Sequence, residues 1–255
     1  MLEMTTVLGR VEQWLTLAQN DIRLRYRRTT LGPLWITLGL GATVLSVGIL
    51  YGGLFGAEYS HYLPYFTASL IAWTFLSSTI SEGGGVFLVS AALIRAVPVP
   101  LVVYVYRLVA RQLMMMGHNF LIVVVLWLVF RWPLSPTFLL VIPGLILNAG
   151  AALGMVLCLS VVAARFRDLQ LIVATILQLI FLLTPIMWET KVLKTSAFVV
   201  DFNPFYHLIE VVRAPILGQM PAPLSWGAAI VTVLIAMAIG VYFYARYRHR
   251  VPFWV

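Results

Sequence analysis

The side chains best equipped for chemistry in this sequence are arginines. Arg23, Arg25, Arg27 and Arg28 fall within six residues, and guanidinium forks at that density grip phosphate oxygens. Placed directly before an apolar run, such a cluster suits the anionic headgroup layer of a bilayer. Catalytic chemistry finds no matching pattern. His61, His118, His207 and His249 are scattered, and no His-Glu-x-x-His, Gly-x-Ser-x-Gly or paired acids occur. Lys191 and Lys194 lack the preceding glycine-rich run of a phosphate-cradling loop. Any ATP consumed must then be bound and hydrolysed on a partner chain, and no cofactor is expected on this one. A single cysteine, Cys158, leaves no intramolecular disulfide and no Cys-based metal site. Glu82 and Asp168 lie near the ends of apolar runs, whereas a proton-coupled carrier places acids in mid-membrane.

Composition sets the solvent in which these residues work. Hydrophobic residues make up 62% of the 255 and charged residues 10%, with a mean hydropathy of +0.97. A water-soluble domain with that composition would carry an apolar surface, so the chain is expected to be an all-α integral membrane protein. The formal charge of +8 does not indicate nucleic acid, because the basic residues flank apolar runs, where orientation and headgroups account for them. The first thirty residues show no pattern of a removable leader.

Stepping along the chain, residues 1–33 read as an amphipathic interface helix. Val11, Trp14, Leu15, Ala18 and Ile22 recur at helical spacing, opposite Glu12, Gln13, Gln19, Asn20, Arg23 and Arg27. A solvated leader helix is the alternative. Gly32-Pro33 then breaks the chain before a bundle of six expected spans over residues 34–245: about 34–54, 62–80, a third ending near 128–130, 138–164, the run from Arg165 to Glu189, and 226–245. Tyr51, Phe55, Tyr59, Tyr62, Tyr65 and Phe66 gather around the turn between the first two spans. They read as an aromatic belt, or as rings that pack against the apolar faces of sugars in a channel. Residues Phe87 to Arg95 form either a plain loop or a short helix, Pro-bounded, that a soluble motor subunit can grip. Asn148 and Gln178 each bond a neighbouring helix or meet a substrate.

Beyond the break at Thr184-Pro185, Asn203-Pro204 has the form of an N-cap with proline at the first helical position. Phe205, Leu208, Ile209, Val212 and Ile216 make an apolar stripe, with His207, Glu210 and Arg213 on another face. The helix is too short to span, so it is expected on the outer side as a half-buried, re-entrant or interfacial helix. Lying between the fifth and sixth spans, it is expected to act as a lid, with exposed polar contacts of ~0–1 kcal/mol each that break easily. Thirteen of the 17 Lys and Arg fall in segments 1–33, 81–111, 165–168 and 246–255, which places both termini and the basic tail 246–255 in the cytoplasm.

Four blocks carry a resemblance: Arg25-Tyr26-Arg27-Arg28-Thr29-Thr30-Leu31-Gly32-Pro33-Leu34-Trp35; Phe166-Arg167-Asp168-Leu169 with Thr184-Pro185-Ile186; Asn203-Pro204-Phe205; and Arg250-Val251-Pro252-Phe253-Trp254. Together they resemble the type-two ABC exporter permeases that move polysaccharides across the bacterial inner membrane. At Pro33 that family more often has an aliphatic residue. The resemblance implies a homodimeric channel of six spans per subunit paired with two ATP-binding subunits. It assigns the ATPase contact to Val11–Arg28 and Phe87–Arg95, including Trp14, Phe87, Leu88 and Arg95, and the outer gate to Asn203–Leu217. The implied cargo is a polymer on undecaprenyl diphosphate, such as O-antigen, with capsule or teichoic acid as alternatives and an ion-coupled carrier as the competing class. The resemblance implies that Arg23, Arg25, Arg27 and Arg28 receive the diphosphate, with binding of lipid headgroups as the alternative.

Overall fold

The computed structural model describes residues 11–55, 58–97, 99–131, 135–190 and 200–255. Residues 1–10, Pro98, Lys191, Lys194 and the side chain of Phe55 lie outside the described residues. The described chain is helical throughout: α1 Val11–Arg25, α2 Leu34–Phe55, α3 Tyr59–Gly83, α4 Val86–Val89, α5 Ala91–Ala96, α6 Val102–Phe130, α7 Val141–Arg165, α8 Leu169–Leu183, α9 Pro204–Ile216, α10 Pro223–Tyr247 and α11 Val251–Trp254, with a 3₁₀ turn at Pro136–Leu140.

Among the described residues, four helices are long and apolar enough to cross a membrane: Leu34–Tyr51 within α2, α6, the 3₁₀ turn together with α7, and α10. The other two expected spans depart from that pattern for different reasons. At 25 residues α3 has the length, but its serines and threonines dilute its hydropathy. The fifth run differs more from expectation. Rather than about twenty continuous residues, α8 holds 15, because α7 extends to Arg165 and the chain turns through Phe166–Asp168 before α8 begins. At 1.5 Å per residue such a helix covers roughly 22 Å, short of the ~30 Å hydrocarbon layer.

The tightest packing joins α7 to α10. A Cβ added at Gly154 would lie 2.5 Å from the backbone carbon of Ala236, and one at Gly240 would collide with the Gly154 carbonyl. The two backbones touch because neither position carries a side chain. At the other extreme α8 buries only Val173 and Leu177, and α2 leaves Trp35, Leu38, Leu45 and Ile49 exposed. The buried core thus lies mainly in α3, α6, α7 and α9, with α10 held to it along a narrow seam and α2 and α8 lightly buried at the flanks. Between α1 and α2, Gly32 takes φ +58°, a left-handed conformation that glycine adopts without strain.

Candidate functional site

At the arginine-rich end, α1 lies against α6. Ala18 and Ile22 are buried, and Trp14 sits half-buried with its ring 5.7 Å from that of Tyr106, so the expected apolar stripe is the packed face. Within that face is Asp21, which the sequence reading passed over. Its carboxylate accepts from Arg107 Nε at 2.7 Å and Arg111 Nη1 at 3.4 Å. Arg111 also pairs with Glu82, which accepts from Gln112 Nε2 at 3.1 Å and has Arg25 at 3.8 Å. Arg107 and Arg111, four residues apart on one face of α6, thereby join the interface helix to the end of α3. Of the predicted arginine cluster only Arg25 enters this network; Arg23, Arg27 and Arg28 are exposed.

The stretch expected as one short helix, Phe87 to Arg95, is broken at Ser90 into α4 and α5. Phe87 is fully buried, whereas Val89 is 89% exposed and Arg95 is on the surface. Phe87 therefore anchors the segment from inside, and Val89 and Arg95 are left on the surface beside a half-buried Leu88.

Between α3 and α8 runs a groove of about 620 Å³, lined by Trp73, Ser77, Ser78, Ser81, Glu82, Gln178 and Phe181 among others. A run of serines and an exposed glutamine along membrane helices is costly against lipid and is suited to a face turned toward water or protein. The Trp73 ring closes one part of the groove, 5.5 Å from Phe181 and 6.0 Å from Phe205. Asn148 differs from Gln178: it is buried, and its Nδ2 donates to the carbonyls of Gly144 and Leu208 at 2.9 and 2.8 Å, bonding the neighbouring helix.

The outer helix α9 forms as its N-terminal residues dictate. Asn203 Oδ1 accepts from the backbone N–H groups of Phe205 and Tyr206 at 3.0 and 3.3 Å, and Pro204 occupies the first turn. The Asn203 amide also donates to Thr184 Oγ1 at 2.9 Å, tying the cap to the end of α8.

The expectation of exposed, easily broken contacts on α9 is wrong for two of its three residues. His207 is 2% and Arg213 3% exposed, with Glu210 half-buried. His207 Nε2 meets the Asp201 carbonyl at 2.8 Å and Nδ1 meets Ser225 Oγ at 3.1 Å. Arg213 donates to the Pro185 carbonyl at 2.7 Å, the Tyr65 hydroxyl at 2.8 Å, Ser69 Oγ at 3.1 Å and Glu210 at 2.8 Å. Its guanidinium carbon lies 4.4 Å from the Tyr65 ring centroid. Burial pulls the Arg213 pKa down, but Glu210 and the phenols of Tyr65 and Tyr206 outweigh it, and the net shift is upward. The physical reason for the error is that α9 is covered on two sides. It packs against α3, α7 and α10, and its polar residues also find partners there, Arg213 on α3 and the turn after α8 and His207 on α10, so helical spacing separated the faces without revealing that both are covered.

That arrangement accounts for three of the six ring residues. Tyr62, Tyr65 and Phe66 are buried in the protomer; the Tyr62 hydroxyl donates to the Met187 carbonyl at 2.7 Å, and that of Tyr65 lies 3.0 Å from the carbonyls of Pro185 and Trp188. They hold the turn after α8. Tyr59 is exposed and Tyr51 half-buried.

The structure is thus a helical bundle with long apolar helices, a groove of serines, glutamine and aromatic rings between α3 and α8, and an ion-paired interface helix at one end. The chain belongs to the ABC-2 type transporter family, which it matches over residues 12–217, from α1 to the end of α9. It is 23% identical over 235 residues to the O-antigen export system permease protein RfbA of Myxococcus xanthus, covering 89% of this chain and 90% of that one. It is 24% identical over 205 residues to the protein of the same name from Klebsiella pneumoniae, covering 76% of each.

Proposed function

We propose that the chain is the permease of an ATP-driven exporter that carries an undecaprenyl-diphosphate-linked polysaccharide, O-antigen in particular, from cytoplasm to periplasm across the bacterial inner membrane. Two copies form the channel, each with six membrane-crossing segments over residues 34–245 and with both termini cytoplasmic. ATP is hydrolysed on a separate subunit seated against α1 and the α4–α5 segment. The observation that carries this reading is the groove between two membrane helices in which Ser77, Ser78, Ser81 and Gln178 alternate with Trp73, Leu177 and Phe181, a mixed surface whose hydroxyls and rings suit the hydroxyls and apolar faces of a sugar polymer. The names of the two relatives supply the cargo. Purified chain alone in liposomes is expected neither to hydrolyse ATP nor to move polymer, and both activities are expected once the ATPase encoded beside it is added. ATP hydrolysis by the isolated, homogeneous chain would overturn the assignment.

The exposed arginines Arg23, Arg27 and Arg28, with Arg25 beside them, form the entrance for the lipid diphosphate. Neutralising them in pairs, as in Arg23→Gln with Arg27→Gln, is expected to lower export severalfold while membrane insertion and ATPase binding stay intact. Unchanged export assigns these side chains to bilayer headgroups instead. The gate reading of α9 is kept in altered form: at the outer mouth α9 moves as one body with α3 and the turn after α8, to which Arg213 binds it.

A further inference from the structure

Beneath the interface helix lies a cavity of about 340 Å³, within the size range of ligand sites. Its walls come from α1, the end of α3, α4, the start of α6 and Gln170 of α8. Three guanidiniums, Arg25, Arg107 and Arg111, face two carboxylates, Asp21 and Glu82, which leaves one positive charge uncompensated. Two donors among the lining residues also lack acceptors. Tyr104 is 1% exposed and its hydroxyl has no hydrogen-bond partner; Arg111 Nε, a group that only donates, has none either. Buried donors left unpaired are costly, and the carboxylates nearby are already engaged. One excess positive charge and two orphan donors call for a singly charged group rich in acceptor oxygens. The cavity sits at the arginine-rich end of the membrane helices, where phosphodiester headgroups supply that chemistry.

We infer that this cavity is a phosphate-binding site, occupied by the phosphodiester of an anionic membrane lipid or by free phosphate, which clamps α1 onto the bundle. It lies beside the polymer entrance, with Arg25 common to both and Arg23, Arg27 and Arg28 absent from its walls, and it does not depend on the export reading. A ligand there bridges the interface helix and the ends of α3 and α6 through Arg25, Arg107, Arg111 and Tyr104, adding an anion to the network centred on Asp21 and Glu82.

The discriminating variant is Tyr104→Phe, which deletes one orphan hydroxyl without changing the shape of the wall. Without ligand, removing an unpaired buried donor leaves the unfolding midpoint equal to or above that of the wild type. With ligand it removes a hydrogen bond to a charged group, so affinity is expected to fall about tenfold. The full chain is prepared in nanodiscs of phosphatidylcholine, in nanodiscs containing phosphatidylglycerol, and in detergent with added inorganic phosphate. Unfolding midpoints are measured in each, and retained phosphatidylglycerol is counted by native mass spectrometry, with Arg246→Gln, an exposed residue at the end of α10, as the surface-charge control. A phosphatidylglycerol response lost in Tyr104→Phe and kept in Arg246→Gln establishes a headgroup site; the same pattern with inorganic phosphate alone establishes a soluble-anion site. Equal responses of the wild type and Tyr104→Phe to both probes, or no response in either, overturn the inference.

Discussion

Arg213→Ala is expected to destabilise the folded chain by about 3–5 kcal/mol, the cost of breaking a buried ion pair from one side. The substitution strands Glu210 and leaves the Pro185 carbonyl and the Tyr65 hydroxyl without the cation they share. Denaturant titration of the purified protein in detergent measures the loss. Arg213→Lys should recover only part, because one ammonium cannot fork across α3, the turn after α8 and Glu210 together. Pairing Arg213→Met with Glu210→Gln should recover more than either change predicts alone, since the stranded carboxylate is gone. An Arg213→Ala protein within about 0.5 kcal/mol of wild type would show that the guanidinium does not hold α9 to α3.

The second large effect is expected at Gly154. Any side chain there meets the Ala236–Met237 backbone directly, with its first carbon 2.5 Å from Ala236. A helix backbone cannot rotate aside as a flexible side chain can. Gly154→Leu therefore has to part α7 from α10, and should cost at least the ~3 kcal/mol upper end of ordinary overpacking. Gly227→Ala is the matched control on α10, because an added Cβ there meets nothing within 4 Å; it should be neutral or slightly stabilising through helix propensity. Comparable unfolding midpoints for the two variants would mean that α7 and α10 can separate without cost.

Local features of this fold were legible in the sequence, and long-range ones were not. Asn203-Pro204 announced its helix because an N-cap bonds residues two and three positions on, all within the motif. Thr184-Pro185 announced a helix end for the same reason. The apolar runs located α2, α6, α7 and α10, but hydropathy could not fix the length of α8, because Phe166–Asp168 folds as a turn rather than as helix. The Asp21–Arg107–Arg111–Glu82 chain joins residues far apart in sequence. A signal was present nonetheless: two arginines spaced four apart in an apolar helix require acidic partners, and the chain holds only nine acids. Arg213 offered the same hint, opposite a span whose start is rich in tyrosine and serine.

The backbone contact between Gly154 and Gly240 also sets an order of events during synthesis. The segment around Gly154 leaves the ribosome well before Gly240 is made, and at translation rates of about 5–20 residues per second the interval is roughly 4–17 s. For that time the glycine-lined face of α7 lies in the membrane with its own partner not yet made. A second, equally unfinished copy offers α7 the same small-residue surface. Correct biogenesis of this permease is thus a race between the emergence of α10 and the mispairing of nascent chains, and it tightens whenever translation slows between those two helices.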